Sequence, residues 1–322
     1  MNKKTKVILF TIFFLAASII SVISINWYFI NKENKLTEKY CGEDPAGIEC
    51  YSFRYRKLLP HFIMYNATAN KKPLKFFKLG WIESTVYIVP YHALEKSEAL
   101  IGYGILDDIS FEERYSKLFN KPSYAFDCGT ESISINEPKC TFQSECIGTD
   151  EYVLPQLTSS KKIHSFSKKL KELGLENKPI YIKMDIAGAE PFVIDEILKH
   201  SKNITGISIV VHCDESSQIP LVVEMLKKFD KDFVLVIRQT HYLHQKLHPV
   251  YMHLPNTKKQ FGRAMSLTYI NKNIIDSYHI RLNQNSSSLK WDGNQEYLTE
   301  SDILLYKYIP YLIKKEFEYG KK

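Results

Sequence analysis

The stretch YIKMDIAGAEPFVIDEIL, from Tyr181 to Leu198, joins an apolar run to an aspartate, a glycine-containing turn and a helical pattern. The apolar run that ends at Met184 predicts a buried strand, and Asp185 follows directly at its carboxyl end. In open parallel sheets, ligands bind outside the carboxyl ends of the strands. Asp185 is therefore a candidate ligand contact. The alternative is that it caps the following helix, whose first turns contain Glu190.

Strand-like and helix-like segments alternate on both sides of this stretch. The predicted strands are ALIGYG (99–104), SYAFDCG (123–129), CTFQSECIG (140–148), PIYIKMD (179–185), ITGISIVVHCD (204–214), DFVLVIRQ (232–239) and AMSLTYIN (264–271). Helices are predicted at 108–119, 163–174, 189–201 and 219–230. Such alternation is typical of βαβ units. The sequence thus predicts an α/β protein with a doubly wound, mostly parallel, Rossmann-like sheet.

The N-terminal region predicts a membrane anchor. Residues 7–30 carry no charge and are numerous enough to span the bilayer core of about 30 Å. A cleaved signal peptide is the alternative, although its apolar region is usually shorter, about 7–15 residues. Lysines lie on both sides of the segment, so the orientation stays open. We expect a single-pass membrane protein that contacts lipid through residues 7–30.

The composition indicates one large folded domain without a nucleic-acid surface. The chain has 322 residues, of which 44% are hydrophobic and 25% charged, and a net charge of +7. The lysines are scattered, whereas nucleic-acid binding predicts a clustered basic stripe. The predicted organisation is a short basic N-terminus (1–6), the anchor (7–30), a lead-in or linker (31–97), the main domain (98–280), and a polar segment with a final helix (281–322).

The six cysteines form no C-x-x-C pair, so they do not indicate a structural zinc site. An exported domain could form disulfides, with Cys41–Cys50 and Cys140–Cys146 as the nearest pairs. The alternative is that the thiols are reduced, with Cys213 in the core. The histidines between residues 241 and 253 are irregularly spaced, and we expect no metal ligands among them.

Polar or glycine residues end several of the predicted strands. They are Gly102-x-Gly104, Asp127, the region 145–148 and Asp185. Glycines let the backbone approach a ligand closely, and an acid after the second strand can bind ribose hydroxyls. The chain lacks the third glycine of the dinucleotide fingerprint and has no G-x-x-x-x-G-K-[ST] loop. The pattern therefore favours a nucleoside cofactor without phosphates.

With these residues the chain resembles the FkbM-like S-adenosylmethionine-dependent methyltransferases over roughly residues 99–276. KMDIAGAE is similar to the family's K-[IM]-D-[IV]-E-G-A-E signature, and NITGISIVVH to its fifth strand, which commonly ends in E-[IV]-H. The resemblance implies a seven-stranded sheet of the class I methyltransferase type with the last strand antiparallel. It also implies S-adenosylmethionine as cofactor and a glycan or small-molecule hydroxyl as methyl acceptor.

The resemblance also assigns the candidate site residues. Gly102, Gly104, Asp107, Asp127 and Asp185 are the cofactor-binding candidates. Asp185 and His212 are the catalytic candidates, with His212 as a possible base or, alternatively, a structural hydrogen-bonding residue.

Two positions depart from the family pattern. Ala187 and Val210 stand where the family has glutamates. The alternative hypotheses are a degenerate binding module that keeps the fold, and a nucleotide-sugar-using transferase.

Overall fold

The computed structural model describes residues 24, 27, 28, 30–32, 34–39, 41, 42, 54, 56–62, 64–80, 87–148, 162–213, 217–240, 252, 253, 260, 261 and 264–280. Most of the predicted anchor and the tail 281–322 lie outside these residues, as do the histidines at 241, 244 and 248. Within the described parts, no helix is both long and apolar enough to cross a membrane.

The chain divides into two compact units. The first comprises residues 1–56 with 215–217, and its described residues between 24 and 41 are helical. The second comprises residues 57–214 with 218–322 and contains every strand of the described chain.

The second unit is built from short peripheral strands, a central sheet and helices. The strands are β1 Tyr65–Ala69, β2 Lys72–Pro73, β3 Phe76–Leu79, β4 Tyr87–Pro90, β5 Ala99–Tyr103, β6 Ser123–Phe126, β7 Cys140–Gln143, β8 Glu145–Ile147, β9 Lys162–His164, β10 Ile180–Met184, β11 Ile204–His212, β12 Phe233–Thr240, β13 Met252–His253, β14 Gln260–Phe261, β15 Ala264–Asn271 and β16 Ser277–Ile280. The α-helices are α1 Tyr91–Lys96, α2 Ser110–Phe119, α3 Phe166–Glu172, α4 Glu190–Leu198 and α5 Ile219–Asp232, with 3-10 turns at Arg56–Phe62, Ser201–Asn203 and Lys272–Ile274.

The central sheet has seven strands in the order β12-β15-β11-β10-β5-β6-β7. The pairs formed by β5, β6, β7, β10 and β11 are parallel, whereas β15 runs antiparallel to both of its neighbours, β11 and β12. Every residue of β5, β10, β11 and β15 is buried. Continuous burial of this kind is expected where helices cover both faces of a parallel sheet. The predicted α/β fold with a seven-stranded, mostly parallel sheet is therefore confirmed.

The two faces of the sheet pack against different helices. Leu100 and Tyr181 are neighbours in register and share a core cluster with residues of α1 and α2. Because side chains alternate along a strand, Ile180, Ile182 and Met184 point to the opposite face. The helices α3, α4 and α5 pack against one another in succession. Buried apolar side chains thus fill a layer on each side of the sheet.

Residues 65–80 and 87–96, assigned from the sequence to a lead-in, belong to the same core as the sheet. Strand β1 pairs antiparallel with β16, and β3 pairs with β4. Phe76, Tyr87 and Leu94 contribute buried side chains to the cluster that contains Tyr181 and Val210. This part of the chain therefore supports the edge of the sheet where the candidate site lies.

Two local predictions were wrong. The segment 140–148 was predicted as one strand, but the chain changes sheets at Ser144, so that β7 joins the central sheet and β8 pairs with β9. Residues 162–164 form β9 and not the start of a helix. Helix α3 begins after Ser165, whose side chain accepts a hydrogen bond from the Lys168 N–H. Its predicted glycine end is confirmed, because Gly174 has φ +66° and the Leu175 N–H donates to Leu170.

The expected Cys140–Cys146 disulfide is wrong, whereas the expected Cys41–Cys50 pair involves Cys50, which lies outside the described residues. Cys128, in the loop after β6, forms a disulfide with Cys146 of β8, and Cys140 is a buried free thiol. Cys41 is also disulfide-bonded. Cys213 is free and buried, as predicted. The Cys128–Cys146 bridge ties the loop that follows Asp127 to the neighbouring strand pair.

Candidate functional site

The candidate site lies where the direction of winding of the sheet changes. Strand β5 has β6 on one side and β10 on the other, so the carboxyl ends of β5 and β10 flank the switch point at which ligands of such sheets bind. Gly104 follows β5, and Asp185 follows β10. The Asp185 N–H donates to the Tyr103 carbonyl oxygen at 3.0 Å, which holds the two strand ends together.

Gly104 is required by this close approach. Its φ is +73°, and a Cβ at this position would overlap the backbone carbonyl oxygen of Asp185. Both the left-handed conformation and the contact exclude a side chain without local rearrangement. Gly104 therefore brings two backbone segments together at the predicted edge, and its predicted contact with the cofactor stays a prediction.

Gly102 has a different role from the one predicted. It faces the carboxyl group of Glu112, a fully buried residue of α2, which a Cβ at 102 would overlap. Neither Glu112 carboxyl oxygen has a hydrogen-bond partner in the described chain. Burial raises the pKa of Glu112 to about 7, although the nearby Lys183 ammonium acts in the opposite direction. In this structure Gly102 makes room for an internal acid, and its predicted contact with the cofactor stays a prediction.

Asp127 organises the loop after β5. One carboxylate oxygen accepts hydrogen bonds from the Ile105 and Leu106 N–H groups, each at 2.8 Å. The other accepts from Gly129 and Thr130 at 2.7 and 2.8 Å. Burial by itself would raise the pKa of Asp127, but these four N–H donors hold it below its usual value. The carboxylate thus has a structural role, and the predicted ribose contact remains untested.

The turn that Asp127 holds presents two exposed side chains. Leu106 is 70% exposed and has φ +53°, an unusual combination for a branched apolar residue. Asp107, a predicted cofactor contact, is exposed in the same turn. The turn follows Gly104 directly, so an apolar surface and a carboxylate lie beside the switch point.

Asp185 and His212, the two predicted catalytic residues, meet at adjacent strand ends. His212 Nε2 lies 3.6 Å from Asp185 Oδ1, and the Tyr87 hydroxyl donates to Asp185 Oδ2 at 3.4 Å. Helix α4 begins after Ala189, which makes no side-chain capping bond. The alternative role of Asp185 as the helix cap is therefore wrong. Asp185 is one-quarter exposed, whereas His212 is almost fully buried.

Glu190 completes this group and was not predicted as a site residue. Its Oε1 lies 2.9 Å from His212 Nδ1 and also accepts hydrogen bonds from the Ile186 and Gly188 N–H groups. Glu190 is 1% exposed. It is the last acid of the KMDIAGAE motif, but its contact with His212 depends on how the turn 185–189 folds back beneath β11. Asp185, Glu190 and His212 form what we call the acid–histidine cluster.

The predicted region 145–148 belongs to a separate polar network around Glu145. Glu145 forms ion pairs with Lys162 and Lys169, each at 2.6 Å, and lies 3.2 Å from His164 Nδ1. Burial lowers the pKa of His164 to about 4, and its Nε2 lies 3.3 Å from the Tyr103 hydroxyl. The Glu145 ion pairs with Lys162 and Lys169 link β8, β9 and α3, whereas His164 Nδ1 has no hydrogen-bond partner among the described residues.

Comparisons with known proteins do not identify a family. No protein-family description and no curated protein matches the sequence. Among solved structures, one named "Putative hemolysin from Streptococcus thermophilus" is similar over 84% of this chain and 93% of its own, with 10% sequence identity and a TM-score of 0.31. A likeness at this TM-score carries no argument about fold or function.

Proposed function

We propose that this protein is an S-adenosylmethionine-dependent methyltransferase of the class I, FkbM-like type that methylates a hydroxyl of a glycan or related metabolite. The observation that carries the proposal is the meeting of Gly104, Asp185 and His212 at the switch point of a seven-stranded sheet. The antiparallel direction of β15, the last strand of that sheet in chain order, also agrees with the resemblance. We further propose that residues 7–30 anchor the protein in a membrane.

The cofactor side of the site fits a nucleoside. Leu106 offers an exposed apolar surface for a base, and Asp107 offers a carboxylate for ribose hydroxyls. Asp127 is the second candidate for binding the ribose hydroxyls. To do so it would have to give up some of its four hydrogen bonds to backbone N–H groups. When bound, S-adenosylmethionine supplies an electrophilic methyl group on its sulfonium.

The acceptor side provides a proton acceptor. Because an ionised carboxylate only accepts hydrogen bonds, contact with Glu190 places the imidazole hydrogen of His212 on Nδ1. The Nε2 lone pair then faces the Asp185 side of the crevice. In this proposal Nε2 would accept the proton of an acceptor hydroxyl held beside Asp185. The protein's further contribution is alignment of the hydroxyl.

A degenerate binding module is the second candidate, and Ala187 and Val210 favour it. Ala187 lies in the turn after Asp185 with φ +53°, and Val210 is buried in the core of β11. Neither can replace the glutamate that the family has at that position.

The first test is calorimetric titration of S-adenosylmethionine and S-adenosylhomocysteine into the purified full chain. We expect micromolar binding, at least about tenfold weaker for Asp185→Asn, a loss of about 1.4 kcal/mol. Asp195→Asn is the matched control, since Asp195 is an exposed residue of α4 whose partner is Lys228. If the folded chain binds neither compound, the methyltransferase proposal is contradicted and the degenerate binding module becomes the favoured hypothesis. Binding of uridine diphosphate instead would indicate the nucleotide-sugar transferase.

A further inference from the structure

The acid–histidine cluster has the composition of a metal site, although the sequence predicted no metal ligands. One donor atom from each of Asp185, Glu190 and His212 lies within 4.8 Å of the other two. The three residues come from the ends of β10 and β11 and from the start of α4, so the backbone fixes their positions. Asp185 lies on the Nε2 side of the imidazole and Glu190 Oε1 on the Nδ1 side, so an ion held by all three residues would take one ring nitrogen, and the carboxylate on the other side would have to reorient toward it.

Glu190 supplies an independent reason to expect a cation. Its Oε1 is occupied by His212 and by two backbone N–H groups. Its Oε2, on the same carboxylate, is buried and has no hydrogen-bond partner within the described chain. Leaving a buried carboxylate oxygen unpaired costs on the order of 1–3 kcal/mol or more. A bound cation would remove that cost.

The charges of the cluster point the same way. Two carboxylates flank one imidazole, at 2.9 Å from Nδ1 and 3.6 Å from Nε2. The nearby Lys183 ammonium donates to the Gly104 carbonyl oxygen. The carboxylate donor atoms of Asp185 and Glu190 lie within 4.8 Å of each other, so the two negative charges repel, and a cation held between them would reduce that repulsion.

We propose that Asp185, Glu190 and His212 bind a divalent transition-metal ion of the Mn²⁺ type. Mixed carboxylate and imidazole donors suit Mn²⁺, Fe²⁺ and Zn²⁺ better than Ca²⁺, which takes oxygen donors only. The part-exposed Asp185 leaves open positions for water or for an acceptor oxygen. This site stands independently of the methyltransferase proposal. If both hold, the ion would lower the pKa of the acceptor hydroxyl, and His212 would act as a ligand and not as the base.

The test is titration of Mn²⁺ alone into the full chain, without S-adenosylmethionine. Binding is measured as the loss of the free Mn²⁺ signal in electron paramagnetic resonance. We expect one tight ion per chain, with affinity reduced at least about tenfold in His212→Gln and in Asp185→Asn. Glu224→Gln, an exposed change on α5, and His200→Gln are the matched controls, and both should bind as the wild type does. Circular dichroism establishes that each variant is folded.

Two results would overturn the cation site. One is a folded wild-type chain that leaves Mn²⁺ free at 100 µM, a concentration taken here as roughly the upper limit for a functional site. The other is binding that Asp185→Asn and His212→Gln leave unchanged. Asp185→Asn is the decisive variant, because Asp185 makes no described backbone bond through its side chain and the fold should tolerate the change. The Mn²⁺ titration contains no cofactor and the cofactor titration contains no added metal. A negative result in either experiment therefore leaves the other proposal standing.

Discussion

The buried carboxyl group of Glu112 should make the stability of this protein fall as the pH rises through neutrality. Glu112 is fully buried, and neither carboxyl oxygen has a hydrogen-bond partner in the described residues. Burial raises its pKa from the ordinary 4.5 to about 7. Between these two values the folded chain holds a proton that the unfolded chain has released. Protonation of Glu112 therefore contributes stability that is fully present below pH 4.5 and is lost as the pH rises through 7.

The size of the effect follows from the two pKa values. At about 1.4 kcal/mol for each pH unit between 4.5 and about 7, the full contribution is about 3.5 kcal/mol, of which about 3 kcal/mol is lost between pH 4.5 and pH 8.5. Glu112→Gln keeps the shape of the side chain and carries no charge at any pH. We expect the variant to gain about 3 kcal/mol of unfolding free energy relative to the wild type between pH 4.5 and pH 8.5.

The assay is urea unfolding of both chains at pH 4.5, 6 and 8.5, followed by far-ultraviolet circular dichroism. Comparing variant with wild type at each pH cancels the other titrating groups, which the two chains share. Glu176→Gln, an exposed change in the turn after α3, is the control and should show a constant difference. A Glu112→Gln difference that stays within about 0.5 kcal/mol over this range would refute the reasoning, because surface-like behaviour is inconsistent with a buried acid.

Three further outcomes follow from the same edge of the sheet. In thermal unfolding, Gly104→Ala should lower the stability by more than about 2 kcal/mol or prevent folding. Gly174→Ala is the control, because Gly174 has φ +66° but no atom within 4 Å of an added Cβ, and it should lower the stability by only about 1 kcal/mol. Peptide mapping without reductant should recover Cys128 linked to Cys146, and reduction should cost about 3 kcal/mol, as for a loop of 18 residues. Asp127→Asn should lose about 2 kcal/mol at pH 7, with a smaller difference below pH 3, because a lowered carboxyl pKa gives stability that disappears as pH falls. An unchanged acid profile for Asp127→Asn would contradict the role of its backbone hydrogen bonds.

The central strands were predictable because their apolar composition indicates that they are buried. β5, β10, β11 and β15 are predominantly apolar, and a glycine, aspartate or asparagine lies at one end of each. The pair β8 and β9 was not predictable, since each strand is three residues long and its pairing depends on contacts distant in sequence. Such short segments have no periodicity of their own, and tertiary contacts decide their conformation.

The candidate site was predictable only in part. Asp185 and His212 could be placed at neighbouring strand ends from the alternation of elements. The partners of Asp127 are backbone N–H groups, and the sequence does not show which backbone groups a side chain will contact. Glu190 looked like an ordinary residue of a first helical turn, and its contact with His212 arises from the fold of the preceding turn. Polar contacts made through backbone geometry were the ones that sequence reasoning missed.

Ala187 and Val210, which stand where FkbM-like methyltransferases have glutamates, weaken the proposed site less than the sequence suggested. Even without acids at 187 and 210, Asp185 and Glu190 place carboxylates on both sides of the His212 ring. The proposals that this cluster accepts a proton or binds a metal ion therefore do not depend on acids at positions 187 and 210. Cofactor binding beside Asp127 is harder to achieve, because both carboxylate oxygens of Asp127 already accept hydrogen bonds from backbone N–H groups. If the protein is a degenerate module, the defect should thus appear as lost cofactor binding while Mn²⁺ binding at the acid–histidine cluster persists.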